Sequence, residues 1–188
     1  MNNIVDDAAS AIAERVRAER AARRWSLAEL SERAGVSKAM LSKIERGEAS
    51  PTAVVLARIA TAFGLTLAAV VAPADPGRPR LARAAEQPSW RDPRSSYVRR
   101  QLFSSAESPL ELVLVTLPPR ESVSFPASTY EFTRHVVVVL EGALAIEEGR
   151  DRSVLAAGDR LEFGPPSDVT FRSRGARPCR YLVAVLRV

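Results

Sequence analysis

The chain has two textures. Over residues 8–71 apolar side chains recur every three to four positions, the period of helices that bury one face. From Tyr97 onward short runs rich in Val, Leu and Phe alternate with Gly, Pro and Ser turns, the pattern of short strands. In the first half a loose polar start over residues 1–9 gives way to a helix over 8–24. It carries Ile12, Val16 and Arg20 on one side, with Trp25 at its junction with the next helix. Ser26 reads as an N-cap, with Glu29 placed to close a capping box. Leu27, Leu30 and Ala34 follow at helical spacing until Gly35 turns the chain, leaving Val36 to plug the core. Ser37 caps a further helix carrying Leu41 and Ile44, which Gly47 ends. Ser50 as N-cap and Pro51 in the first helical position start another, with Leu56, Ile59, Ala60 and Phe63 as its stripe and Gly64 at its end. Residues 66–71 make a last short helix.

In the second half, residues 110–117, 123–125, 135–140, 143–147, 160–163, 169–172 and 180–188 read as strands. Pro118-Pro119, Glu141-Gly142, Gly149, Gly158-Asp159 and Gly164-Pro165-Pro166 separate them. Seven or more strands in about 90 residues, with no clear helix, predict an antiparallel sandwich or barrel large enough for its own core. Residues 73–96 lie between the halves, rich in Pro and Arg, and read as an extended, hydrated linker. Trp90 stands out there and is expected to dock on the following domain.

The turn at Gly35, flanked by two capped helices, makes residues 26–47 a helix-turn-helix. Lys38, Ala39, Ser42 and Lys43 fall opposite Leu41 and Ile44, at the N-terminal end of the second helix. Short and cationic groups at that place suit base edges and phosphates in a major groove. The alternative from spacing alone is a solvated helical hairpin. The run SLAELSERAGVSKAMLSKIERG, followed by SPTAVVLARIATAFGLTL, resembles the Cro/C1-type (xenobiotic-response-element, XRE, type) helix-turn-helix of phage repressors and bacterial regulators, over roughly residues 10–71. The resemblance implies a lambda-repressor-like, all-α domain of five helices, with 37–46 as recognition helix. It implies DNA contacts from Ser26, Leu27, Ser37, Lys38, Ala39, Ser42, Lys43 and Arg46, and an ion pair between Arg20 and Glu45.

VVVVLEGALAI and LAAGDRLEFGPPSDVTF look like the two half-motifs of a cupin, a small all-β jelly-roll barrel, over roughly residues 97–188. Metal-binding cupins carry two His and a Glu in the first half-motif and one His in the second. Counting from Gly142 and Gly158, the Glu position falls on His135, the two His positions fall near Ser128 and Tyr130, and the last falls on Val169. A lone imidazole cannot complete a coordination sphere, so neither a metal, another cofactor nor a catalytic residue is expected. Phe125, Tyr130, Glu131, Arg134, His135, Phe163, Phe171 and Tyr181 are the candidates for holding a small-molecule effector. The same residues also suit an ordinary barrel core with a solvated rim.

Charge and cysteine content sharpen this only slightly. The net charge of +5 is compatible with nucleic acid as partner. Cys179 stands alone, so no internal disulfide forms, and it reads as an inert, partly buried thiol rather than a redox sensor. No apolar run reaches membrane-spanning length and the N-terminus has no signal pattern, so a soluble cytoplasmic protein is expected. The whole reads as two domains, 1–72 and 97–188. The expected function is a transcriptional regulator, by default a repressor, binding double-stranded operator DNA as a homodimer. Its cupin domain senses an effector, with two alternatives: an isomerase- or lyase-type cupin enzyme under a regulatory DNA-binding domain, and a barrel that only dimerises.

Overall fold

The computed structural model describes residues 3–71, 80–105 and 107–188. Five helices come first: α1 (Asn3–Ala22), α2 (Leu27–Ala34), α3 (Lys38–Glu45), α4 (Ala53–Phe63) and α5 (Leu67–Val71). The caps behave as the local sequence demands. Ser26 Oγ accepts from Glu29 N while the Glu29 carboxylate accepts from Ser26 N, closing the box, and Gly35 ends α2 at φ 59°. Ser37 Oγ accepts from Met40 N. Ile12, Val16, Leu30, Leu41, Ile44, Leu56 and Ile59 are sealed in a common core.

Three boundaries differ from the sequence reading. α1 starts at Asn3, inside the stretch expected to be loose, and ends at Ala22, because Trp25 N and Arg24 N bond back to its last carbonyls. α4 is capped by Thr52, whose Oγ1 accepts from Val55 N, not by Ser50; Pro51 lies before the cap and is buried. The linker also ends earlier. Residues 72–79 lie outside the described residues, but Ser89–Arg91 is a strand, and Trp90 on it is 3% exposed. The expected docking of Trp90 is therefore met from within the sheet, with its strand against α1.

Ten antiparallel strands follow: β1 (Ser89–Arg91), β2 (Val98–Phe103), β3 (Leu110–Leu117), β4 (Ser122–Phe125), β5 (Thr133–Glu141), β6 (Ala143–Glu148), β7 (Asp151–Ala156), β8 (Arg160–Glu162), β9 (Val169–Arg174) and β10 (Cys179–Arg187). They form a six-stranded sheet, β1-β2-β3-β10-β5-β8, and a four-stranded sheet, β4-β9-β6-β7. Two sheets wound with these long crossings are a jelly roll. All seven expected strands are present. The three unexpected ones, β1, β2 and β7, have polar sequences and lie in or next to sheet edges. Inward-facing Val113, Val115, Leu117, Val137, Val139, Val183, Phe125 and Phe171 fill the interior. No helix among the described residues is long and apolar enough to cross a membrane.

Carboxylates join the two halves. Asp92 is buried; its Oδ1 accepts from Arg94 N (2.7 Å) and Ser95 N (2.8 Å), and its Oδ2 accepts from Ala53 N at 2.5 Å. A negative charge there meets the positive end of α4. Thr66, whose Oγ1 accepts from Ala69 N at the start of α5, lies 2.9 and 2.8 Å from the two oxygens of Glu111 on β3. The helical domain is thereby seated on the mouth of the jelly roll.

Candidate nucleic-acid interface and interdomain cavity

α3 is held from behind and open in front. Leu41, Ile44 and Glu45 are buried, while Lys38, Ala39, Met40 and Lys43 are exposed. Arg20 on α1 grips Glu45 through two parallel bonds, Nε to Oε1 and Nη2 to Oε2, both 2.7 Å, and its Nη1 donates to Trp25 O at 2.8 Å. This fork ties α1 and the α1–α2 turn to the end of α3, as the resemblance implied. Trp25 stacks on Phe63 with centroids 5.8 Å apart, and the Arg33 guanidinium lies 4.4 Å from its ring.

The eight residues singled out for DNA do not form one class. Lys38 and Lys43 make no ion pair among the described residues, and Ala39 lies between them on the exposed face. Ser26 and Ser37 are exposed caps whose hydroxyls already accept a backbone bond. Leu27 is half-buried and packs partly on the helical core. Arg46 forks onto Glu48 (2.6 and 2.7 Å) and also bonds Ser42 Oγ, so neither side chain is free in this state. Met40, 39% exposed, belongs to the outward face and was missed. Its apolar type carried no signal, although three residues after Ser37 it must lie near the helix N-terminus.

The second site is a cavity where the jelly roll meets α4 and α5. The space a water-sized body can move in is about 50 Å³; counted with its opening to solvent the empty volume is about 590 Å³. Ala57, Thr61, Leu65, Thr66, Leu67 and Ala68 form its helical side; Tyr97, Arg99, Glu111, Phe125, Tyr130, His135, Phe171 and Tyr181 are on the other. Five of the eight expected effector residues are thus brought together. Phe163 stands behind the wall, stacked on His135 (5.8 Å) and beside Phe171 (5.9 Å). Glu131 and Arg134 are exposed and apart from it, because the alternation of β5 sends Thr133 and His135 inward and Arg134 outward.

Burial governs the titrating groups. His135 Nε2 lies 2.9 Å from Thr133 Oγ1, and its ring meets Tyr130 edge-on at 5.0 Å. Burial first, and the Arg99 charge second, lower its pKa to about 4, so it is neutral near pH 7. Burial likewise raises Tyr97, Tyr130 and Tyr181 above the usual phenol value. Glu111 is raised by burial, with the Thr66 bond and the charges of Arg187 and Arg99 pulling it back.

The donor set does not fit a metal. Ser128, Tyr130 and Val169 accompany His135 at the aligned positions; the hydroxyls are weak ligands and Val169 has no donor atom. A nearby guanidinium would also oppose a cation. Arg99, Glu111, Tyr97, Thr66 and Thr129 are cavity residues the sequence reading missed. Glu111 had left a signal, a lone carboxylate on the same parity as Val113, Val115 and Leu117. Arg99 sits on a polar strand and left none.

Residues 16–70 match the family described as Helix-turn-helix (HTH_3). The HTH-type transcriptional regulator SutR of Escherichia coli (strain K12) is 44% identical over 59 residues, 31% of this chain and 33% of that protein, so the match spans about a third of the relative's length. The crystal structure of an HTH_3 family transcriptional regulator from Vibrio cholerae has a TM-score of 0.80 at 25% identity, covering 97% of this chain and 98% of that one. A Cupin_2 domain of an XRE family transcriptional regulator from Enterobacter cloacae covers 49% of this chain and 97% of its own, at 18% identity and TM-score 0.45. Residues 16–70 thus match a helix-turn-helix domain, which in this chain is joined to a jelly roll.

Proposed function

We propose that the chain is a sequence-specific DNA-binding transcriptional regulator whose jelly-roll domain senses a small molecule. The observation that carries this reading is the face of α3. Lys38, Ala39, Met40 and Lys43 are exposed on a helix clamped by the Arg20–Glu45 fork, and two of the four are cations with no ion pair among the described residues. The cavity supports the sensing role, because a molecule in it touches α4 and α5 as well as the sheet. Its binding energy then depends on how the helical domain is seated, and that is what coupling two sites requires.

One recognition helix reads few base pairs, so the protein acts as a two-fold dimer. The outer face of the six-stranded sheet supports the surface for it. Leu112, Leu182, Ala184, Val136 and Val138 share that face with exposed Leu110, Leu140 and Leu186. Strands β3, β5 and β10 are therefore apolar on both faces, as in sheets covered on both sides. The oligomer is checked by sedimentation equilibrium: Leu182→Glu, which charges the middle of this face, is expected to give monomers.

The DNA reading is tested with duplexes that the full chain selects from a random pool. Lys38→Ala and Lys43→Ala are each expected to weaken binding by about 1–3 kcal/mol if they read bases, or to reduce the salt slope by about 1 if they touch phosphate. Wild-type affinity and salt slope in both variants would refute the assignment.

A further inference from the structure

We propose that the interdomain cavity takes a compact organic acid, its carboxylate seated on Arg99 and its apolar body against Phe125, Phe171 and Tyr181. This rests on the sensing role given to the cavity above and names the chemistry it recognises. Arg99 lines the cavity and is partly buried. Its one hydrogen bond among the described residues runs from Nη1 to the Tyr97 hydroxyl at 2.8 Å, and no carboxylate lies within ion-pair distance of it. Nη2 and Nε remain, the pair of donors with which a guanidinium binds a carboxylate in a fork.

The other charge on the cavity wall is already engaged. Glu111 is held by the Thr66 hydroxyl, with Arg187 Nε at 3.9 Å. His135 and the three tyrosines carry no charge near pH 7. The wall thus holds a guanidinium with no direct ion-pair partner among the described residues; the Glu111 carboxylate acts on it only from a distance and is itself bonded to Thr66, so an incoming anion gains a direct pair with Arg99. The Tyr130 and Tyr181 hydroxyls, on cavity-lining residues, make no hydrogen bond among the described residues and are available as further donors. A cation is repelled by Arg99. A neutral ligand leaves it unpaired. The stacked pair Phe171–Tyr181, centroids 5.7 Å apart, offers an apolar surface for an aliphatic or aromatic body.

The test uses the full chain in buffer free of carboxylate and phosphate. Acetate, butyrate, benzoate and phenylacetate are titrated calorimetrically, each beside its own amide, which has the same shape without the charge. At least one acid is expected to bind, with its amide about tenfold or more weaker, the value of one charge-assisted pair. Arg99→Gln, checked for folding by circular dichroism, is expected to remove the preference, and Arg99→Lys to keep part of it. Should Arg99→Gln fail to fold, Thr61→Met narrows the cavity with Arg99 in place and is expected to abolish acid binding. Equal binding of acid and amide, undiminished acid binding in the Arg99→Gln or Thr61→Met variant, or no binding of any acid overturns the proposal. Duplex selection by the wild type in those cases leaves the regulator reading standing. Acid binding without duplex selection does the reverse.

Discussion

The face of α3 and the cavity under α4 and α5 are built in opposite ways. Bonds that shape the reading helix are mostly local: Ser26 with Glu29 and Ser37 with Met40, each three residues apart. The cavity is assembled from partners far apart in the chain. Thr66 meets Glu111 across 45 residues, and Glu111, Val185 and His135 form one row only because β3, β10 and β5 pair in that register. A local site is specified by spacing and caps. A non-local one is specified by register and by how two domains seat, so its strength depends on the whole fold.

The Arg20–Glu45 fork is a long-range tie on the reading helix itself, and breaking it gives the largest expected effect. Arg20→Ala leaves the nearly buried Glu45 carboxylate without its partner and should cost about 3 kcal/mol in urea unfolding, with Glu45→Gln restoring part of it in the double variant. A loss well under 1 kcal/mol would show that the reading helix is held by local capping and packing alone.

The cavity is probed next through pH. The His135 pKa falls from 6.5 to about 4 on folding, so the native state resists protonation that the unfolded chain accepts. That stability is fully present above pH 6.5 and is lost as pH falls toward 4, amounting to about 2 kcal/mol after allowing for the water an open cavity admits. His135→Asn should therefore flatten the stability profile between those pH values relative to wild type. Parallel profiles would mean that the ring is solvated and the cavity wetter than its geometry indicates.

Smaller still is the expected coupling across the domain boundary. In a double-mutant cycle of Thr66→Val with Glu111→Gln, a coupling of about 1 kcal/mol is expected for their hydrogen bond. Additive losses would show that the domains are seated by packing and by Asp92 instead. Cys179 should show the least. It is buried, and burial lifts its thiol to about 11, so Cys179→Ala should leave duplex binding unchanged, and a thiol reagent should react only on unfolding.

Legibility in the sequence follows the same division. Ser26, Glu29, Gly35 and Ser37 announced the caps, and the apolar strand runs announced seven of ten strands, because those signals reside in a few neighbouring residues. The cap of α4 was misplaced because Asp92, far along the chain, takes Ala53 N and leaves Thr52 to cap the helix. Strands β1 and β7 are edges and β2 lies next to one; all three were missed because strands at or near an edge need no apolar alternation.

The sequence by itself determined the class of both domains, the position of the second helix of the helix-turn-helix and, through family resemblance, the Arg20–Glu45 tie. Each depends on residue type at short or characteristic spacing. Tertiary structure alone decided that Arg46 pairs with Glu48, that Glu131 and Arg134 lie apart from the cavity, and that Arg99 and Glu111 line it. Those outcomes depend on strand register and on the docking of α4 and α5, and both arise from pairings across long stretches of chain that no local pattern records.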